Sequence, residues 1–174
     1  MKSCMEIMLT RRSVKKYKAD MMPQTADIDK IIEAGLAAAS GRNMQAPVIV
    51  AVTNKEIRDR LSRANAGIMG AAADPFYGAP CVLVVLAEKT AHTYVYDGSL
   101  SLGNMMLAAH ELGLGSCWIH RAREVMAQDE WQEWIKELGL VGEYEGIGNL
   151  VVGYLDGEYP AEKPRKEGRV VYVK

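Results

Sequence analysis

Apolar positions along the chain repeat with two different periods. Residues 3–12 carry Met5, Met8 and Leu9 at helical spacing, and we read them as a short amphipathic helix. Ile28, Ile31, Ile32 and Leu36 share one helical face, which predicts a helix over 27–39 with Thr25 as its N-cap and acids in its first turn. "APVIVAV" then reads as a buried strand, and "NKEIRDRLSRA" as a polar helix behind the cap residue Asn54. Residues 65–78 are rich in Ala and Gly and leave helix and loop both open. "CVLVVLAE" is the strongest strand signal. A helix capped by Asp97 runs to about Leu112, where Gly113 and Gly115 end it. "SCWI" reads as a short strand, 123–138 as a helix containing tryptophan, and "IGNLVVGYL" and "RVVYV" as two more strands. Unbroken apolar strands alternating with helices predict a sheet covered on both faces. The terminal pieces break the alternation, so the fold class expected is α+β, with a mixed β-sheet flanked by helices. The chain reads as a single domain over 1–174. Residues 156–174 would form a C-terminal arm that reaches a second subunit.

Charge changes this picture at the two ends. "RRSVKKYK" (11–18) holds five cations and no acid, and residues 163–174 hold five cations against the single acid Glu167. These stretches carry +9 in a chain of net charge −1, so the remainder carries −10. The basic stretch reads as a solvated helix end, a nucleic-acid patch, a targeting signal or an anion site. The sequence pI of about 6.3 and the lack of a recognisable binding motif argue against nucleic acid. Two basic clusters on an acidic body could converge on one phosphate, with Arg supplying a forked contact, Lys a point charge and Ser13 a hydroxyl.

Other chemistry has little support. Cys4, Cys81 and Cys117 form no C-x-x-C pair, and His92, His110 and His120 make no close ligand pair, so neither a disulfide framework nor a metal site is expected. No apolar run has membrane length. The apolar run at the N-terminus is short and interrupted by Glu6, which predicts no signal peptide and a cytoplasmic location.

Four stretches carry a resemblance. "RRSVKKY", followed about thirty residues later by "AASGRNMQAP", resembles the opening of the FMN-dependent nitroreductase family. "DGSLSLGNMMLAAHELGLGSCWI" is similar to that family's central helix and following strand, and "LVVGYLDGEYPAEKPRK" to its last core strand and flavin-contacting tail. The resemblance spans most of the chain, in order, and marks a short member. It implies an intertwined homodimer with FMN at the subunit interface and NADH or NADPH as electron donor. The acceptor would be a small oxidised molecule, such as a nitroaromatic or a quinone, reduced by a ping-pong mechanism.

On the matching positions, the resemblance implies that Arg11, Arg12 and Ser13 hold the phosphate and ribityl chain, with Lys163 and Arg165 returning to the phosphate. Lys15 would lie by the N1/O2 edge of the ring and carry the catalytic role. Ser40, Asn43 and Gln45 would contact the ring, mostly from the partner. Cys117, Trp118, Ile119 and His120 would lie over the flavin face. His120 could be a proton donor, a ring contact or a helix-start residue, and Cys117 reads as a small buried residue. Departures from the family pattern, Ala39 for proline and Ala46 after Gln45, bear on the acceptor pocket. Reductive dehalogenation, flavin cleavage and non-catalytic binding of a flavin or phospholigand remain as alternatives.

Overall fold

The protein is described here from a computed structural model covering residues 3–174. In chain order its elements are α1 (Cys4–Thr10), α2 (Thr25–Leu36), β1 (Pro47–Val52), α3 (Lys55–Met69) and β2 (Cys81–Glu88). They are followed by α4 (Tyr94–Glu111), β3 (Gly115–Ile119), α5 (Ala122–Met126), α6 (Asp129–Glu137) and β4 (Tyr144–Gly153). The strands form one sheet in the order β1-β2-β4-β3. Each neighbouring pair is antiparallel. The parallel component of the expected mixed sheet is confined, among the described residues, to an isolated bridge between Ser13 and Ser116.

β2 explains why its run is apolar without alternation. Val82, Val84 and Leu86 face one core, and Cys81, Leu83, Val85 and Ala87 face the other. The first core is completed by α3, α5 and α6 through Leu61, Val125, Met126 and Trp131. The second is completed by α2 and α4 through Ile28, Ile31, Leu102 and Met105. Both faces are therefore dry, as the continuous apolar pattern requires. No helix among the described residues is long and apolar enough to cross a membrane.

Several boundaries differ from the sequence reading. α2 begins at Thr25, one residue after its cap Gln24, and stops at Leu36. α4 begins three residues before Asp97, so Asp97 is not its cap. Its buried carboxylate instead accepts from Gly41 N–H at 3.1 Å and from the Thr93 hydroxyl at 3.0 Å. The helix expected over 123–138 is two, α5 and α6, with Gln128 the N-cap of the second. "RVVYV" forms no strand within the chain and is exposed, Val173 to 96%.

The ambiguous segment 65–78 divides in two. α3 continues through it as far as Met69, and Gly70 ends the helix in the left-handed conformation (φ +62°). Beyond it, Asp74 builds the turn that leads into β2. Its carboxylate accepts from Arg58 Nη2 and the Ser62 hydroxyl, each at 2.5 Å, and from the backbone N–H groups of Phe76 (2.9 Å) and Gly78 (2.8 Å). Burial pushes this carboxyl up, but the bonds from Arg58, Ser62 and the two amides outweigh it and hold it below the usual carboxylate range.

A depressed folded-state value means that the contribution is present above the unfolded-state value near 3.9 and is lost as pH falls through the folded value. Asp74→Asn is expected to cost about 1–2 kcal/mol at neutral pH, toward the low end because the side chain is 35% exposed. Urea unfolding checks this: the gap between the two proteins should be full at pH 7 and narrow as pH falls below the unfolded-state value near 3.9. A gap that persists unchanged in acid would show that the charge is not its source.

Candidate functional site

The N-terminal basic stretch is where the site begins. α1 is capped by Ser3, whose hydroxyl accepts from Glu6 N–H at 3.2 Å, and ends when Arg11 leaves helical geometry (ψ +133°). The chain then runs extended along the sheet. Val14 N–H donates to the Ser116 carbonyl at 3.0 Å, and Tyr17 bridges Leu155. Val14 and Tyr17 are buried, while Ser13, Lys15, Lys16 and Lys18 between and around them are exposed. Gly115 makes this possible, since a Cβ there would come within 2.9 Å of the Val14 side chain. The stretch is thus neither a solvated helix end nor a free tail. It is a segment whose backbone is anchored to the core through Val14 and Tyr17.

Arg11, Arg12, Ser13 and Lys15 line a cavity of about 520 Å³ with Pro160, Ala161, Lys163 and Arg165 of the C-terminal arm. Five cationic side chains and no carboxylate form this lining among the described residues. The two basic ends of the chain do converge. Within the set, roles separate. Arg12 is already engaged: Nη1 donates to the carbonyls of Leu9 (2.7 Å) and Arg11 (2.9 Å), and Nη2 pairs with Glu162 at 3.1 Å. Arg11 is the opposite case, with a buried Nη1 that has no hydrogen-bond partner. A buried guanidinium donor left unpaired is costly. A phosphate supplies charge and several acceptor oxygens, so the residues present fit the phosphate end of FMN.

Lys15 also lines a second cavity of about 290 Å³, formed with Met69, Pro75, Tyr77, Arg121 and the end of β3. Its ammonium lies 5.8 Å from the centre of the Tyr77 ring. Cys117, Trp118, Ile119 and His120 all line this space. Burial pushes the Cys117 thiol up, against the opposing pull of Ser13, Lys15 and Arg11, so it is a poor nucleophile. Trp118 Nε1 is buried without a partner. The two cavities meet at Lys15, which gives a basic pocket at one end and an aromatic, partly apolar pocket at the other.

Ser40, Asn43 and Gln45 line neither cavity within this chain. They form a tight exposed loop. The Ser40 hydroxyl accepts from Gln45 N–H at 3.0 Å, and Gln45 Nε2 donates to Asn43 Oδ1 at 3.1 Å. Arg42, Asn43 and Gln45 all have positive φ, between 50° and 55°. Such backbone costs free energy and persists only where the surroundings impose it. Here Asp97 fixes the loop through Gly41 N–H, and Thr93 packs where a Gly41 Cβ would sit.

The nitroreductase family model matches residues 8–75 and 68–154 of the chain. The chain belongs to the nitroreductase family. An NADPH-flavin oxidoreductase of Vibrio harveyi is 30% identical, over 98% of this chain and 73% of its own length. Among solved structures, a nitroreductase with bound FMN from Bacteroides fragilis superposes with a TM-score of 0.87 at 27% identity, over the full length of both chains. One from Desulfitobacterium hafniense, also with bound FMN, superposes equally well at 25% identity, again over both full lengths. The FMN-dependent nitroreductase resemblance read from the four motifs, and the α+β fold it implied, therefore hold.

For this nitroreductase, sequence reasoning missed two residues beside the cavities. Tyr77 stands in a left-handed conformation (φ +55°) on the turn built by Asp74, and walls the second cavity. The turn signals "DP" and "YG" mark the bend but not which way the ring faces. Tyr159 holds the arm by accepting from Arg12 N–H at 2.7 Å, and no local pattern announces a contact across 147 residues.

Proposed function

We propose that the chain is an FMN-dependent oxidoreductase that takes hydride from NADH or NADPH and reduces a small oxidised acceptor, such as a nitroaromatic or quinone, by a ping-pong mechanism. The observation that carries the reading is the convergence of Arg11, Lys15, Lys163 and Arg165, with no carboxylate beside them among the described residues, on one cavity that shares Lys15 with an aromatic pocket. When bound, FMN would supply the redox chemistry, which needs no catalytic triad or carboxylate pair.

The chain's own residues divide the remaining work. Arg11, Ser13, Lys163 and Arg165 would hold the phosphate, with Arg12 bracing the arm against α1. Lys15, between the two cavities, would place a cation beside the ring's N1/O2 edge and stabilise the negative charge gained on reduction. Cys117, Trp118, Ile119 and His120 would form one wall and keep water off it. Ser40, Asn43 and Gln45 would read the ring's pyrimidine edge from a second copy of the chain.

The same reading makes the protein an intertwined homodimer, with residues 156–174 reaching the partner. Support comes from apolar residues that one copy leaves exposed: Met5 and Leu9 on α1, Tyr96 and Leu100 on α4, and Val171 and Val173 in the arm. Light scattering is expected to give a dimer that retains flavin, and a stable flavin-loaded monomer would sink this part of the reading.

Arg11→Ala and Arg165→Ala are each expected to weaken FMN binding about tenfold or more, since a charge-assisted hydrogen bond contributes about 1.5–3 kcal/mol. Dialysis of the loaded protein checks this. If both variants keep flavin as the parent does, the phosphate assignment is wrong.

Lys15→Met is expected to keep much of its FMN but lower the flavin potential by tens of millivolts, about 30 mV corresponding to about 1.4 kcal/mol for a two-electron couple. Lys15→Arg should lie closer to the parent, because it keeps the charge. Spectroelectrochemistry decides the matter: an unchanged potential in the Met variant would leave Lys15 a binding residue only.

A further inference from the structure

The arm carrying Lys163 and Arg165 leaves β4 with a defined set of attachments. Asp156 N–H donates to the Lys16 carbonyl at 3.1 Å, and the Asp156 carboxylate pairs with Lys16 at 2.9 Å. The next fixed point is Tyr159. Its ring stacks on His110 near the end of α4, with centroids 5.4 Å apart and an interplanar angle of 28°. Its hydroxyl accepts from Arg12 N–H at 2.7 Å and lies 3.1 Å from His110 Nδ1. On the far side of the imidazole, Nε2 lies 2.9 Å from Thr10 Oγ1, and Thr10 donates to the Glu6 carbonyl at 2.6 Å. Because the Thr10 proton is committed to Glu6, Thr10 must accept from His110 Nε2–H. Nδ1 is then the acceptor for the Tyr159 proton. One direction of donation, from Arg12 through Tyr159 and His110 to Thr10 and Glu6, satisfies every group in the chain of bonds.

We propose that Tyr159, clasped by His110, is a positioning residue that fixes where the arm delivers Lys163 and Arg165 to the phosphate end of FMN. The proposal rests on the reading of the cationic cavity given above. Tyr159 and Glu162 line a separate cavity with His110, while Ala161, Lys163 and Arg165 line the cationic one, so the arm is a partition with its clasp on one side and its cations on the other. A further tie, the Arg12–Glu162 pair, is weak because Glu162 is 72% exposed, where ion pairs contribute little. Without the clasp, the tether to Arg165 would run from Asp156 instead of Tyr159. A longer, looser tether lowers the effective concentration of both cations at the cavity. Pro160 and Pro164 stiffen the arm, so a fixed Tyr159 carries its geometry forward to Lys163 and Arg165.

The test uses the purified flavin-loaded protein, dialysed against an equal mixture of FMN and riboflavin, with bound flavins then quantified. Riboflavin lacks the phosphate, so the ratio reads the arm's contribution separately from the ring site. Tyr159→Phe keeps the stack but loses the hydroxyl, and should lower the FMN preference about fivefold, as expected for one net hydrogen bond. Tyr159→Ala should lower it further, while riboflavin affinity and melting temperature stay near the parent's. Arg165→Ala should reduce the preference in the parent and much less in the Tyr159→Ala background, because the two act through one contact. A Tyr159 variant that weakens FMN and riboflavin equally, or changes neither, overturns the proposal, and Tyr159→Phe settles it should the Ala variant fail to fold. If Arg165→Ala and Arg11→Ala leave the preference untouched, the phosphate reading itself falls and takes this inference with it.

Discussion

The bond from Val14 N–H to the Ser116 carbonyl, with the Val14 side chain wholly buried over Gly115, is the contact on which the rest of the site depends. A strongly basic octapeptide would by itself stay solvated, because ordering it costs conformational entropy and gathers like charges. Val14 and Tyr17 supply the apolar burial that offsets this. Side chains on an extended segment alternate, so anchoring Val14 turns its neighbours Ser13 and Lys15 outward together. Ser13 and Lys15 reach the cationic cavity for that reason. The same anchoring lets Lys15 border the second cavity at the end of β3, because β3 is the strand to which the segment is tied.

Electrostatics then follows from topology. The arm returns past the same edge, through the Tyr17–Leu155 bridge and the bond from Lys18 N–H to the Tyr154 carbonyl, and so lays the second basic cluster against the first. Cations brought together repel one another unless something compensates. Glu162 neutralises Arg12 and Asp156 neutralises Lys16, and both of these acids come from the arm itself. Among the described residues, Arg11 has no such acid. Lys15, Lys163 and Arg165, which line the same cavity, likewise have no ion pair among the described residues, an excess of positive charge consistent with the proposed anion site.

Among the described residues, positive-φ backbone at non-glycine positions falls in the 42–45 loop, at Tyr77 and at Arg121. Arg42, Asn43, Gln45 and Tyr77 adopt left-handed conformations that glycine would take more readily, and Asp97 and Asp74 hold the two loops. Each loop is fixed by a carboxylate that bonds backbone N–H groups, a rigid device that does not require the loop itself to be buried. Asp97 and Asp74 thus act on the proposed site indirectly, through the loops that they hold. Asp97 fixes the loop that carries Ser40, Asn43 and Gln45, and Asp74 positions the Tyr77 ring facing Lys15.

The sequence by itself determined the elements that depend on local periodicity and composition. The apolar run of β2 demanded burial on two faces, the spacing of Ile28 and Ile31 demanded a helix, and the +9 carried by the two ends made an anion site worth expecting. Arg11, Ser13, Lys15 and Arg165 could be proposed as site residues from the sequence because a short, charged pattern can be recognised without its context. Other features were settled only by tertiary structure. Asp97 looked like a helix cap and became a loop clamp, because Gly41 lies beside it in space and not in sequence. The two basic ends could not be shown to meet until the sheet order placed β3 next to β4 and brought Ser116 and Leu155 to one edge. Tyr159 had no signal at all, since its partners Arg12 and His110 are 147 and 49 residues away. Periodicity records which face of an element is dry, but it carries no information about which distant backbone or ring will be there to meet a single polar side chain.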